Sequence, residues 1–203
     1  MPENNYFFVD GSSLITDVIA IKKSEKELAS KKLDIIKFTG MFYGKRFMSL
    51  HSGIYKRFVV YFVIHENRIN DNIIIPPFHR PGEVEDVQVK YCGKRIKGGS
   101  AINSWISRHS PPNYVLERLN KSEKAVDTQI CCDALQLASY GRLDRLFIYT
   151  NDYDFVPLCQ TLKSMGSNIS LFRLQEKKIN KDLVRECDSF SVVPVDQLSS
   201  LFA

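Results

Sequence analysis

The sequence has little that could form a covalent or metal-bound scaffold. Its five cysteines, Cys92, Cys131, Cys132, Cys159 and Cys187, include no CxxC pair and leave an odd count. That argues against a disulfide framework and a zinc ribbon, and leaves reduced, mostly buried thiols of a cytoplasmic protein as the expectation. The four histidines, His51, His65, His79 and His109, have no catalytic spacing. No apolar run approaches the roughly 20 residues a membrane span needs. The opening MPENNYFFVDGSS has no basic region ahead of a long apolar stretch, so neither membrane insertion nor export is expected. An excess of charge is also missing: 28 Lys and Arg face 23 Asp and Glu, and the resulting +5 favours a polyanionic partner only mildly. No internal repeat or low-complexity tract is visible.

What remains is a 203-residue chain, 44% apolar and 25% charged, enough for one substantial core. Short apolar runs at Tyr6 to Val9, Phe58 to Ile64, Leu146 to Thr150 and Ile169 to Phe172 read as strands buried on both faces, and so as a mainly parallel sheet. Helical patterns lie between them. Residues 13–50 fit two helices broken near Lys31 or Gly40. Val126, Ile130, Ala134, Leu137 and Ala138 mark one face of a helix over 122–140, with Ser122 as N-cap and Gly141 closing it. Asp154 is expected to cap a further helix from Phe155 to Met165, with Pro157 in its first turn. This alternation predicts an α/β layered fold in one domain. Residues 71–112 hold five of the eight prolines and read as an irregular basic insertion with a strand-like stretch, Val87 to Tyr91, after which Lys94, Arg95 and Lys97 precede Gly98-Gly99 and form a hairpin or loop suited to RNA contact.

The carboxylates are the chemical signal. Asp10 and Asp152 each follow a buried strand at or near its end, where ligands gather in open parallel sheets. Asp154 stands two residues beyond Asp152 in a strand-to-helix turn. Asp127, in the first turn of its helix, comes to the same edge if that helix runs antiparallel to the strands, and Lys124 sits three residues before it. Four ionised carboxylates repel, so a cation must compensate. Oxygen ligands without suitably spaced His or Cys suit Mg²⁺ or Mn²⁺, and such an ion permits metal-assisted phosphodiester hydrolysis. Asp133, six residues after Asp127, points about 120° away on a helix and reads as a supporting or structural acid. Tyr153 reads first as an exposed turn aromatic and second as a platform for a base.

Phe8-Val9-Asp10-Gly11-Ser12-Ser13-Leu14, then Lys124-Ala125-Val126-Asp127 with Asp133, then Thr150-Asn151-Asp152-Tyr153-Asp154-Phe155 with Pro157 and Gly166, resembles the NYN domain family of PIN-like nucleases. Asp182 to Phe190 is similar to that family's closing helix. The resemblance implies a PIN-like (Rossmann-like) three-layer fold, a divalent ion at Asp10, Asp127, Asp152 and Asp154, and ribonuclease activity. Ser13, Asn151 and Lys124 would then touch substrate, with Ser12, Thr150 and Asp133 around them. Ser13 stands where the family usually has Asn, which motivates a second reading as an RNA-binding or regulatory module with weakened catalysis; a small phosphoester hydrolase is a third. Trp105 reads as a core or interface anchor, and an exposed patch around it would favour a homodimer.

Overall fold

The computed structural model describes residues 3–43, 54–64, 67–75, 87–94, 124–175, 179–193 and 195–203. Eight strands are described: β1 (Asn4–Asp10), β2 (Leu33–Asp34), β3 (Ile54–Ile64), β4 (Ile73–Ile74), β5 (Val87–Lys94), β6 (Arg145–Tyr149), β7 (Asn168–Arg173) and β8 (Ser189–Val192). The helices are α1 (Gly11–Ser24), α2 (Ile35–Tyr43), α3 (Asn67–Asn72), α4 (Lys124–Ser139), α5 (Val156–Ser164), α6 (Lys181–Glu186) and α7 (Val195–Leu198), with short 3₁₀ turns between some of them.

Six strands form one sheet in the order β5-β3-β1-β6-β7-β8, with every pairing parallel. Alternate residues of each strand enter opposite layers. Phe7, Val9, Phe58, Val60, Phe147 and Tyr149 pack with Leu14, Val18 and Phe38 of α1 and α2. Phe8, Val59, Tyr61, Ile148 and Leu171 pack with Val126, Ile130 and Ala134 of α4 and Leu158 and Leu162 of α5. Both faces are therefore dry, which is why the strands read as unbroken apolar runs. The ring of Phe7 stacks on those of Phe58 and Phe147, joining three adjacent strands on the α1 side.

The chain runs from β1 out to β3 and β5, then returns to the other side of β1 as β6. The order thus reverses between β1 and β6, and a crevice opens at such a switch point beyond the strands' carboxyl ends. Asp10 is the last residue of β1, and Thr150 follows β6 directly.

Several expectations change. Of the two places expected for the break between the first helices, the one near Lys31 is found, at Glu25 to Asp34, and Gly40 lies inside α2. Within 71–112 the strand-like stretch Val87 to Tyr91 is β5, an edge strand parallel to β3 with Val87 in the core, and the basic loop from Arg95 onward lies outside the described residues. The closing helix is only Lys181–Glu186, and Ser189 starts the sixth strand of the sheet. Ser122, Arg95, Lys97, Trp105 and the four histidines lie outside the described residues, as do the side chains of Lys94 and Lys124.

Candidate active site

A cavity of about 290 Å³ opens at the switch point, lined by Asp10, Ser12, Ser13, Thr16, Asp127, Asn151, Asp152 and Arg173. Asp10 forms its floor. The residue is 3% exposed and caps α1, its Oδ1 accepting the Ser12 N–H at 2.9 Å. Its Oδ2 accepts the hydroxyls of Ser13 at 2.6 Å and Thr150 at 3.1 Å. Each hydroxyl in turn accepts a backbone N–H of the loop after β6, Asn151 to Ser13 Oγ and Asp152 to Thr150 Oγ1, both at 3.1 Å. Two strand ends are thereby wired to one carboxylate. Burial pushes the Asp10 carboxyl above its ordinary range despite these donors, since none of them carries a charge.

Asp127, half buried in the first turn of α4, brings a second carboxylate to the cavity, and exposed Asp152 a third. Asp152 rather than Asp154 is the cap: its Oδ1 accepts the Asp154 N–H at 3.0 Å and starts a 3₁₀ turn, Tyr153–Phe155, that leads into α5 with Pro157 in the first turn. The cap falls two residues early because the 3₁₀ turn is inserted before the helix. Asp154 lies within that turn, exposed and outside the residues that line the cavity. Tyr153 beside it is 54% exposed, as a turn aromatic should be. Asn151 Oδ1 accepts the Asn180 N–H at 3.0 Å, tying the cavity's rim to the residue that caps α6.

Asp133 is engaged elsewhere. It accepts hydrogen bonds from Tyr61 at 2.7 Å, Lys90 at 2.5 Å and Gln129 at 2.8 Å, pinning α4 to β3 and β5. Burial raises its carboxyl, but these donors and the charge of Lys90 outweigh that and hold it below the ordinary range. Its role is structural.

Under the cavity lies a group that the sequence reading missed. Arg173, 2% exposed at the end of β7, grips Asp17 of α1 through Nε at 2.9 Å and Nη2 at 2.5 Å, and its Nη1 donates to the Thr150 carbonyl at 3.3 Å. The Tyr149 hydroxyl also donates to Asp17, as does Gln175 Nε2 at 3.1 Å. A signal was present: Asp17 is a lone acid on a helix face otherwise built from Leu14, Val18 and Ile21, and Arg173 is the charged end of a buried strand.

An all-oxygen donor set with a buried carboxylate whose donors among the described residues are neutral is chemically suited to a hard divalent ion. Among the described residues no three His, Cys, Asp or Glu side chains stand close enough together to cage an ion. Mg²⁺ does not need such a cage, because it commonly keeps several waters and binds through one or two carboxylates together with substrate phosphates.

A family model described as the NYN domain matches residues 65–195, well over half of the chain. The match includes Asp127, Asp152 and Asp154, while Asp10 precedes it. No curated protein matches the sequence. A solved structure of a protein of unknown function from Vibrio parahaemolyticus is similar in fold: 13% sequence identity, a TM-score of 0.51, and coverage of 96% of this chain and 95% of that one.

Proposed function

The chain belongs to the NYN domain family, a family of PIN-like nucleases, and from that premise we propose that it hydrolyses RNA phosphodiester bonds with Mg²⁺ or Mn²⁺ at the cavity between β1 and β6. One observation carries the reading: Asp10 is buried, its hydrogen-bond donors among the described residues are uncharged, and it shares its cavity with Asp127 and Asp152. Asp10, Asp127 and Asp152 would hold the ion among its waters, with Asp154 on the turn beyond the cavity's lining. The ion would neutralise charge on a phosphate and acidify a water. The protein's own part is orientation. Ser13 and Thr150 fix the Asp10 carboxylate, and Asn151 shapes the rim along which the substrate passes.

Ser13 favours retained catalysis over a binding module. Its hydroxyl donates to Asp10 and accepts from the Asn151 N–H, so it performs a positioning task for which a longer amide is not required. The test is incubation of the protein with labelled single-stranded RNA, structured RNA and a chromogenic phosphomonoester, with Mn²⁺ and with EDTA. RNA cleavage with Mn²⁺ alone is the expected result. Binding without cleavage would support the regulatory module, and turnover of the monoester but not RNA would support a phosphatase.

A further inference from the structure

A second cavity of about 210 Å³ adjoins the first and shares three of its walls, Thr16, Asn151 and Arg173. Beyond them it is bounded by Asp17, Ala20 and Ser24 of α1 and by Gln175 after β7. Thr16, Ala20 and Ser24 stand at i, i+4 and i+8, so they form one stripe of α1, and their small side chains leave the space open. Gln175 faces them across the gap, and its amide is steadied by donation to Asp17. The volume is below the range of a drug-sized site and suits a single base or sugar.

We propose that this second cavity receives the nucleoside adjacent to the scissile phosphate, so that the RNA crosses from one cavity to the other over Arg173; the inference rests on the ribonuclease reading above. Three features converge on it. Arg173 lines both cavities, and with three of its five N–H groups given to Asp17 and the Thr150 carbonyl among the described residues it keeps two for a phosphate oxygen. Asp17, the Thr150 carbonyl and the face of Tyr149 at 5.6 Å hold that guanidinium rigidly, so little ordering remains to be done when a strand binds. The chemistry also changes across it. The first cavity is acidic and suits an ion and a phosphate, whereas on the far side the one carboxylate, Asp17, is neutralised by Arg173, and Ala20, small hydroxyl side chains and an amide complete a lining that suits an uncharged nucleoside.

The test fills the second cavity from a position that makes no hydrogen bond to the acidic one. Ala20→Phe and, separately, Gln175→Ala are compared with the wild type in fluorescence anisotropy of a labelled six-nucleotide RNA in EDTA and in steady-state cleavage with Mn²⁺, with thermal melts confirming the fold. The proposal expects Ala20→Phe to weaken RNA binding by about tenfold or more and to raise KM accordingly, with a smaller change in kcat, and Gln175→Ala to act in the same direction. Folded variants that bind and cleave RNA as the wild type does overturn the subsite and leave the nuclease reading standing. A wild type that binds RNA without cleaving it overturns the nuclease reading, and the anisotropy still decides the subsite. A wild type that neither binds nor cleaves overturns both.

Discussion

Ser13 has one proton to donate and spends it on Asp10, while its oxygen receives the Asn151 N–H. Ser13→Ala therefore leaves the Asp10 carboxylate with one hydroxyl fewer and an amide without its acceptor. The expected result is a folded protein whose RNA cleavage falls roughly 10- to 100-fold, the range seen when a group orienting a ligand is removed; single-turnover cleavage with saturating Mn²⁺ measures it. Asp133 makes a prediction of the opposite kind. Its carboxyl is held below the ordinary aspartate range, so its stabilising contribution is complete at neutral pH and is lost as the pH falls through its folded-state pKa. Asp133→Asn should cost about 1.5–3 kcal/mol at pH 7, with the gap from wild type closing below about pH 4 and cleavage by the folded protein retained. Denaturant melts across pH check the sign. At this scale Asp10 was legible because a strand-ending acid is exceptional in an apolar context. Asp17 and Arg173 were not, because they lie seven and 163 positions from it and only the folded sheet brings them beneath one cavity.

The helix that follows Asp10 depends on Gly11. A Cβ there would meet the Phe62 ring and the Tyr61 carbonyl oxygen of β3, because α1 begins where the chain turns tightly over the neighbouring strand. Gly11→Ala is expected to destabilise the protein by about 1–3 kcal/mol or more and to depress cleavage, since a shift of the α1 start carries the Ser12 N–H and the Ser13 hydroxyl away from Asp10. A thermal melt read beside the cleavage rate checks both. The elements whose buried faces are continuous, β1, β3, β6 and β7, could be read directly from the sequence, and α4 from its apolar stripe and from Gly141, whose φ of 62° suits a glycine closing a helix. β8 was hidden because its residues are only half buried and alternate Ser with Phe and Val, a weak pattern beside a short helix. The capping residue ahead of α5 was misjudged for a local reason: Asp152 and Asp154 can both cap, and only the intervening 3₁₀ turn selects the first.

For the whole molecule, the order of strands does the assembling. Asp10 and Thr150 come from segments 140 residues apart and meet because β1 and β6 are neighbours across the reversal of the sheet. Asp127 joins them from α4, which packs over the same strands. The sequence could place four acids at strand and helix ends; it could not show that Asp10, Asp127 and Asp152 line one cavity while Asp154 stays outside its lining, because that depends on the angle of a single turn. The most direct test follows from that difference. Asp152→Asn keeps a capping side chain, since Asn serves as well as Asp at that position, and removes one negative charge from the cavity. With melting behaviour matched to the wild type, the measurement is cleavage of labelled single-stranded RNA in Mn²⁺. The account predicts metal-dependent cleavage by the wild type and its loss in Asp152→Asn. Cleavage that survives the substitution undiminished, or that proceeds equally in EDTA, would contradict it.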